Sequence, residues 1–212
     1  MSKIISKLEL VNAVDGENGW RKKELKIIKD NIPSKDSSLQ RAILRSAIPI
    51  LYAHWEGFTK KSCEFYLEYV SNRSIKNREL KPQFISLSLS REIKKVEIRS
   101  MEEKTNAVKY LIDCLDQNAE IPINNIIQTK SNLKYTVFKD IIFILGLELS
   151  QFECFESLIN DLVETRNTIA HGTGHKVIYS TYIQMNDDII NLMEILRTEI
   201  ENSAVLEKYK LA

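Results

Sequence analysis

The sequence predicts an all-α helical bundle, and three observations carry that prediction. Apolar residues recur at helical spacing through most of the chain. Only six Gly and four Pro punctuate its 212 residues, and no segment is low-complexity. One short run alone, "QFISLSLS", alternates with the period of a strand. With 43% hydrophobic residues the chain can bury one sizeable core, so residues 1–212 read as a single domain, with 72–104 as an irregular insertion or loop region.

Residues 3–13 and 18–32 read as two helices, the second closed by Pro33 and Ser34. Ser37 and Gln40 form a capping-box pair, each side chain suited to an orphan amide of the other. The helix that follows runs to about residue 71, with Leu44, Ile48, Leu51, Trp55, Phe58, Phe65, Tyr66 and Tyr69 on one stripe. Pro49 lacks a backbone donor, so a kink or break is expected there. Around 83–90 the alternation suggests a short strand-like insertion, but Pro82 and the isolation of the run favour an extended loop.

"TNAVKYLIDCLD" (105–116) reads as a short helix with Val108, Leu111, Ile112 and Leu115 inward. "SNLKYTVFKDIIFILG" starts at a Ser/Asn cap and stops at Gly146. Ser150 and Glu153 form a second capping-box pair, opening the helix that ends in "ETRNTIAHG" (164–172). Beyond Gly172 and Gly174 a loop is expected, extended through "KVIYSTYI". A last helix then turns Ile189, Leu192, Met193, Leu196 and Ile200 inward.

A net charge of +1 excludes a global field that would recruit nucleic acid or a membrane, so any polyanion must meet a local patch. "REIKKVEIRS" offers one in Arg91, Lys94, Lys95 and Arg99, which also suit a solvated helix face or contacts to an RNA backbone. Cys63, Cys114 and Cys154 show no zinc spacing and are odd in number, so three reduced, buried thiols are expected. No metal or cofactor motif occurs. "MSKIISKLELVNAV" lacks a leader's apolar core and "FKDIIFILGL" is too short to span a bilayer, so a cytoplasmic protein without membrane contact is expected.

The anomaly lies in the motif helix. Stepping about 100° per residue from Phe155, Leu158, Ile159, Leu162, Val163, Ile169 and Ala170 share one apolar arc. Arg166 falls in the middle of it. A guanidinium costs several kcal/mol to bury unpaired, so it must snorkel to solvent or find an anion, a carbonyl set or a wet cleft. His171, in the last turn, suits the negative end of the helix dipole. Arg166 and His171 sit about 140° apart on a regular helix and cannot meet there, whereas Asn167 and His171 share a face. Convergence requires unwinding at Gly172 or a second copy of the motif.

"RNTIAH", an arginine and a histidine separated by four residues at a helix end, resembles the signature of the HEPN superfamily of all-α, nucleic-acid-associated domains. "RSAIPILYAHWEGFTKKS" (45–62), "TKSNLKYTVFKDIIFILGLE" (129–148) and "WRKKELKIIKDNI" are similar to helices of its RiboL-PSP-HEPN group. The resemblance covers nearly the whole chain and is weakest at 72–104. It implies a metal-independent endoribonuclease working as a homodimer on RNA such as tRNA or mRNA. Such proteins serve as toxins or anti-phage defence effectors, with an antitoxin or defence-system partner.

By that resemblance Arg166 and His171 are catalytic, and Asn167 orients the histidine or the phosphate. The residue types suit the chemistry. An imidazole exchanges protons near neutrality, and a guanidinium forks onto phosphate oxygens. Some members carry, two residues after the histidine, a tyrosine that a nucleotidyltransferase partner modifies; here that position is Thr173. His54 and Glu56 fall near the edges of the long helix's buried arc; they and Lys60 are structural residues or, as the resemblance implies, a supporting layer behind the site. The alternative to an enzyme is a non-catalytic HEPN module that binds RNA or a nucleotide, or scaffolds a partner.

Overall fold

Ser6 opens the first helix. Its hydroxyl accepts the Glu9 amide at 3.2 Å, and the Glu9 carboxylate accepts the Ser6 amide at 2.8 Å. In the computed structural model, which describes residues 3–90 and 100–211, this helix, α1, runs unbroken over Lys7–Asp30. Two helices were expected here. Leu10, Val14, Asn18, Arg21 and Leu25 form one continuous buried stripe, while Gly16 and Gly19 lie on the exposed face. Each glycine costs only about 1 kcal/mol there, less than the packed stripe returns.

Helix α2 (Ser38–Ser71) also runs unbroken, through Pro49. The proline deletes one backbone bond; the buried stripe from Leu44 to Val70 holds the remaining turns. Of the residues expected on that stripe, only Phe65 is incompletely buried. The Ser37 capping box is half-formed. The hydroxyl accepts the Gln40 amide at 3.1 Å, but the Gln40 side chain turns to the Pro33 carbonyl at 2.7 Å.

The 72–104 region is more helical than its sequence suggests. After a 3-10 turn (Asn77–Glu79), helix α3 (Pro82–Ser88) occupies the run expected to be extended. Pro82 sits at the start of the helix, where its missing donor costs nothing. Buried Phe84 meets Tyr66 edge to face at 6.5 Å, and that contact overrides a weak alternation. Arg91, Lys94, Lys95 and Arg99 lie outside the described residues.

Helix α4 (Met101–Cys114) is opened by a capping box between Ser100 and Glu103. Its apolar side was expected inward, yet Val108 and Ile112 are 56% and 55% exposed and only Cys114 is buried. α4 attaches through its C-terminal end, where the Asn77 and Arg78 amides bond the carbonyls of Gln117 and Leu115.

Helix α5 (Tyr135–Ile144) is not capped by the Ser131–Asn132 pair. Asn160, from the next helix, accepts the Tyr135 amide at 3.1 Å. The expected box at Ser150 and Glu153 is a 3-10 turn (Ser150–Phe155) without a side-chain cap, so α6 starts at Glu156 and ends at Ala170. Cys154, on the outside of that turn, is exposed, against expectation; Cys63 and Cys114 are buried.

Helix α7 (Tyr179–Val205) runs antiparallel to α1. Lys7, Asp15, Lys22 and Lys29 meet the Val205 carbonyl, Arg197, Glu194 and Asp187 in turn. Surface pairs of this kind contribute at most about 1 kcal/mol each, so the ladder fixes register more than stability. α1, α2 and α7 form the frame, and α6 packs on α2. Trp55, Phe138 and Phe152 tie α2 to α5 and the 3-10 turn, with centroids 5.3 and 5.2 Å apart. The described residues form an all-α architecture, and none of their helices is long and apolar enough to cross a membrane.

Gly146 ends α5 at φ +60°, and a Cβ there would lie 3.1 Å from Lys81 Cδ. Gly146→Ala combines left-handed strain of about 1–2 kcal/mol with that crowding. Thermal unfolding should show a midpoint lowered by about 3–8 °C. An unchanged midpoint would mean that the loop relaxes freely.

Candidate active site

Arg166 shows how α6 tolerates a charge on its apolar arc. The guanidinium lies over the Tyr52 ring of α2, its Cζ 4.1 Å from the centroid. One terminal nitrogen donates to the Ser131 carbonyl at 2.8 Å, the other to Asn167 Oδ1 at 2.7 Å. Tyr52 is buried, and its hydroxyl accepts the Leu133 amide at 2.8 Å. The same ring thus holds the 131–134 loop and supports the arginine. Burial pushes the Tyr52 phenol up and nearby Glu56 adds to this, while the Leu133 amide and Arg166 oppose it.

His171 caps α6. Its amide bonds the Asn167 carbonyl at 3.0 Å, and its side chain is exposed. The chain then turns at Gly172 (φ +76°). Thr173 Oγ1 donates to the Thr168 carbonyl at 2.7 Å, and Arg45 from α2 donates to the Thr173 and His175 carbonyls at 2.9 and 2.8 Å. These bonds fix the path of the loop after the histidine.

His171 and Asn167 open onto a polar cavity of about 580 Å³, shared with Lys134, Thr136, Asn160, Glu164, Thr168 and Thr173. Arg166 is not among its walls. Helix α6 keeps regular geometry to Ala170, and positions five apart on such a helix leave it about 140° apart, so Arg166 and His171 set out in different directions. Asn167 connects them: its carbonyl oxygen holds Arg166 while the residue faces the cavity beside His171.

His54 goes elsewhere. It is 6% exposed between α1 and α2, edge-on to Trp20 at 5.2 Å and with Nε2 3.6 Å from Glu24. Burial lowers its pKa and Arg21 adds to that, against the pull of Glu24. Two residues from Tyr52 on one helix, it points to the opposite side. Glu56 is half-buried and close enough to Tyr52 to act on its hydroxyl; Lys60 is exposed.

Sequence reasoning missed Tyr52, Ser131, Lys134, Arg45 and the cavity residues Asn160, Glu164 and Thr168. A phenol one turn from Ile48 and less than one from Trp55 was the available signal for Tyr52. A carbonyl such as that of Ser131 leaves no signal at all.

A family model described as RiboL-PSP-HEPN matches residues 17–202, from the middle of α1 to the last turn of α7. The chain belongs to the RiboL-PSP-HEPN family. No curated protein and no solved structure gives a match. HEPN membership brings a nuclease or RNA-related role. The matched span includes every element that builds the Arg166 support and the His171 cavity: α2, the 131–134 loop, α5 and α6 of the HEPN domain.

Proposed function

We propose that this HEPN chain is an endoribonuclease that cleaves RNA through attack of a 2′-hydroxyl on the adjacent phosphate. The observation that carries this reading is the state of Arg166. Its hydrogen bonds go to neutral oxygens and its face to an aromatic ring, and among the described residues no carboxylate pairs with it. A guanidinium positioned but not neutralised suits a phosphate.

In the proposed reaction His171 takes the 2′-OH proton as the new O–P bond forms. The P–O5′ bond breaks, the leaving oxygen takes a proton from solvent, and His171 releases to solvent the one it accepted. The products are a 2′,3′-cyclic phosphate and a 5′-hydroxyl, with no redox change and no water consumed. Arg166 stabilises charge on the phosphate oxygens and Asn167 links the two residues. Because Arg166 and His171 leave α6 in different directions, the proposed centre uses a second copy, making the homodimer part of the proposal. A toxin or defence effector restrained by a partner protein is the corresponding cellular role.

The test is purified protein incubated with tRNA or total RNA in EDTA, with end-group analysis of the fragments. Cyclic-phosphate ends formed by the parent and absent with Arg166→Ala are expected. Equal cleavage by that variant would remove Arg166 from the chemistry, and a monomer by sedimentation at micromolar concentration would remove the composite centre. A second reading, a binding module without turnover, draws on one observation: the His171 imidazole is exposed, with no hydrogen bond orienting it among the described residues. RNA binding with no cleavage would favour it.

A further inference from the structure

At the opposite end of α5 from His171 lies a second, larger cavity of about 700 Å³. Helix α5 is 10 residues long, so about 15 Å separates its two ends. Leu87 of α3 and Phe143, Ile144 and Leu147 at the end of α5 supply apolar walls. Phe143 is 67% exposed, a large aromatic side chain left in water at this site. The volume falls within the range that holds small organic ligands.

Two ammonium groups share the cavity, Lys81 and Lys208. Lys208 lies 3.7 Å from Glu199, a carboxylate only 5% exposed. That carboxylate already accepts the Glu148 amide at 3.1 Å and the Ser203 hydroxyl at 3.0 Å. The Glu148 carboxylate, on the cavity wall, turns back to the Ser150 amide at 3.3 Å. Lys81 has one hydrogen bond among the described residues, to the Gly146 carbonyl at 2.8 Å, and no carboxylate partner. An ammonium has three donors, so two remain for a ligand. Its charged form is disfavoured first by burial and then by Lys208, with Glu199 and Glu148 opposing. An anion seated here would fill the unused donors and relieve the repulsion between the lysines.

We infer that this cavity binds a small organic carboxylate with a flat or branched apolar body, the carboxylate on Lys81 and the body against Leu87, Phe143 and Leu147. Gly146 fits this arrangement, because a Cβ would press on the Lys81 stem at 3.1 Å. The site is independent of the Arg166–His171 chemistry and stands or falls without it.

Isothermal titration with 2-naphthoate tests the inference, with neutral 2-naphthamide as comparison. One-to-one binding of the carboxylate is expected, with a Kd on the order of 10–100 µM, and the amide should bind about tenfold more weakly or less. Lys81→Met should weaken the carboxylate about tenfold. Ser86→Trp, an exposed wall position whose replacement fills the cavity without touching the core, should abolish binding; His171→Ala should leave it unchanged. The inference is overturned if the amide binds as tightly as the carboxylate, if Ser86→Trp leaves the Kd unchanged, or if no saturable binding appears up to millimolar ligand.

Discussion

His171→Ala is expected to lower RNA cleavage by about 10²–10⁴-fold, the usual worth of a positioned general acid or base. The thermal midpoint should move by only a few degrees. The reason is where the histidine sits. Its backbone bond to the Asn167 carbonyl survives in alanine, and its side chain is exposed. The remaining loss is at most a protonated imidazole's interaction with the helix C-terminus, about 0.3–1 kcal/mol, or roughly 1–4 °C in a chain of this size. RNA affinity, measured separately, should change little because Arg166 and Lys134 remain. A purely structural histidine predicts the reverse, lost stability with unchanged cleavage. Single-turnover cleavage and thermal unfolding on the same preparation separate the two, and a parental rate in the variant would exclude His171 as the proton carrier.

The bundle was legible because buried stripes on α2 and α7 obey helical spacing over many turns: Ile189, Leu192, Met193, Leu196 and Ile200 are all fully buried as the spacing requires. What was lost shares one cause, the opposition of local signals to distant contacts. Residues 14–17 read as a gap between two helices when only their neighbours are weighed, yet Val14 and Asn18 are buried on the stripe of one continuous helix. Pro82 reads as favouring an extended loop but opens α3, because Phe84 has Tyr66 to meet. The α5 cap comes from Asn160, twenty-five positions further on, beyond any capping window. Conversely, α4 has the apolar periodicity of a core helix and shows most of it to solvent.

The candidate site divides in the same way. The helical wheel isolates Arg166 as anomalous and keeps it apart from His171, and the regular geometry of α6 agrees with that separation. The wheel cannot say what supports the guanidinium, because Tyr52 lies on another helix, off the stripe predicted there, and Ser131 contributes only its backbone. Arg45, which ties down the loop after His171, is 128 positions from Thr173 in sequence.

The support around Arg166 makes its replacement the sharpest test of the proposed chemistry. Arg166→Ala should reduce cleavage by about 10²–10³-fold, the cost of losing one preorganised stabiliser of developing charge. Alanine also uncovers Tyr52, so a second variant is needed to separate charge from coverage. Arg166→Met keeps an extended apolar stem over the ring and removes the fork, and should be as inactive as alanine while staying closer to the parent in stability. Arg166→Lys retains a charge but replaces the planar two-nitrogen fork that reaches Ser131 and Asn167 with a single ammonium nitrogen, so it cannot reproduce that geometry, and activity should fall well below the parent. Tyr52 tests the same point from beneath. Tyr52→Phe keeps the aromatic face and sacrifices the hydroxyl bond to Leu133, so it should lower stability more than cleavage. Tyr52→Leu removes the face itself, and a cation–π contact of about 0.5–2 kcal/mol corresponds to roughly 2–30-fold in rate if Arg166 must be held in place to act. Parental cleavage by Arg166→Met would make the guanidinium a strut for the 131–134 loop, and the family's chemistry would then have to rest on other residues of this chain.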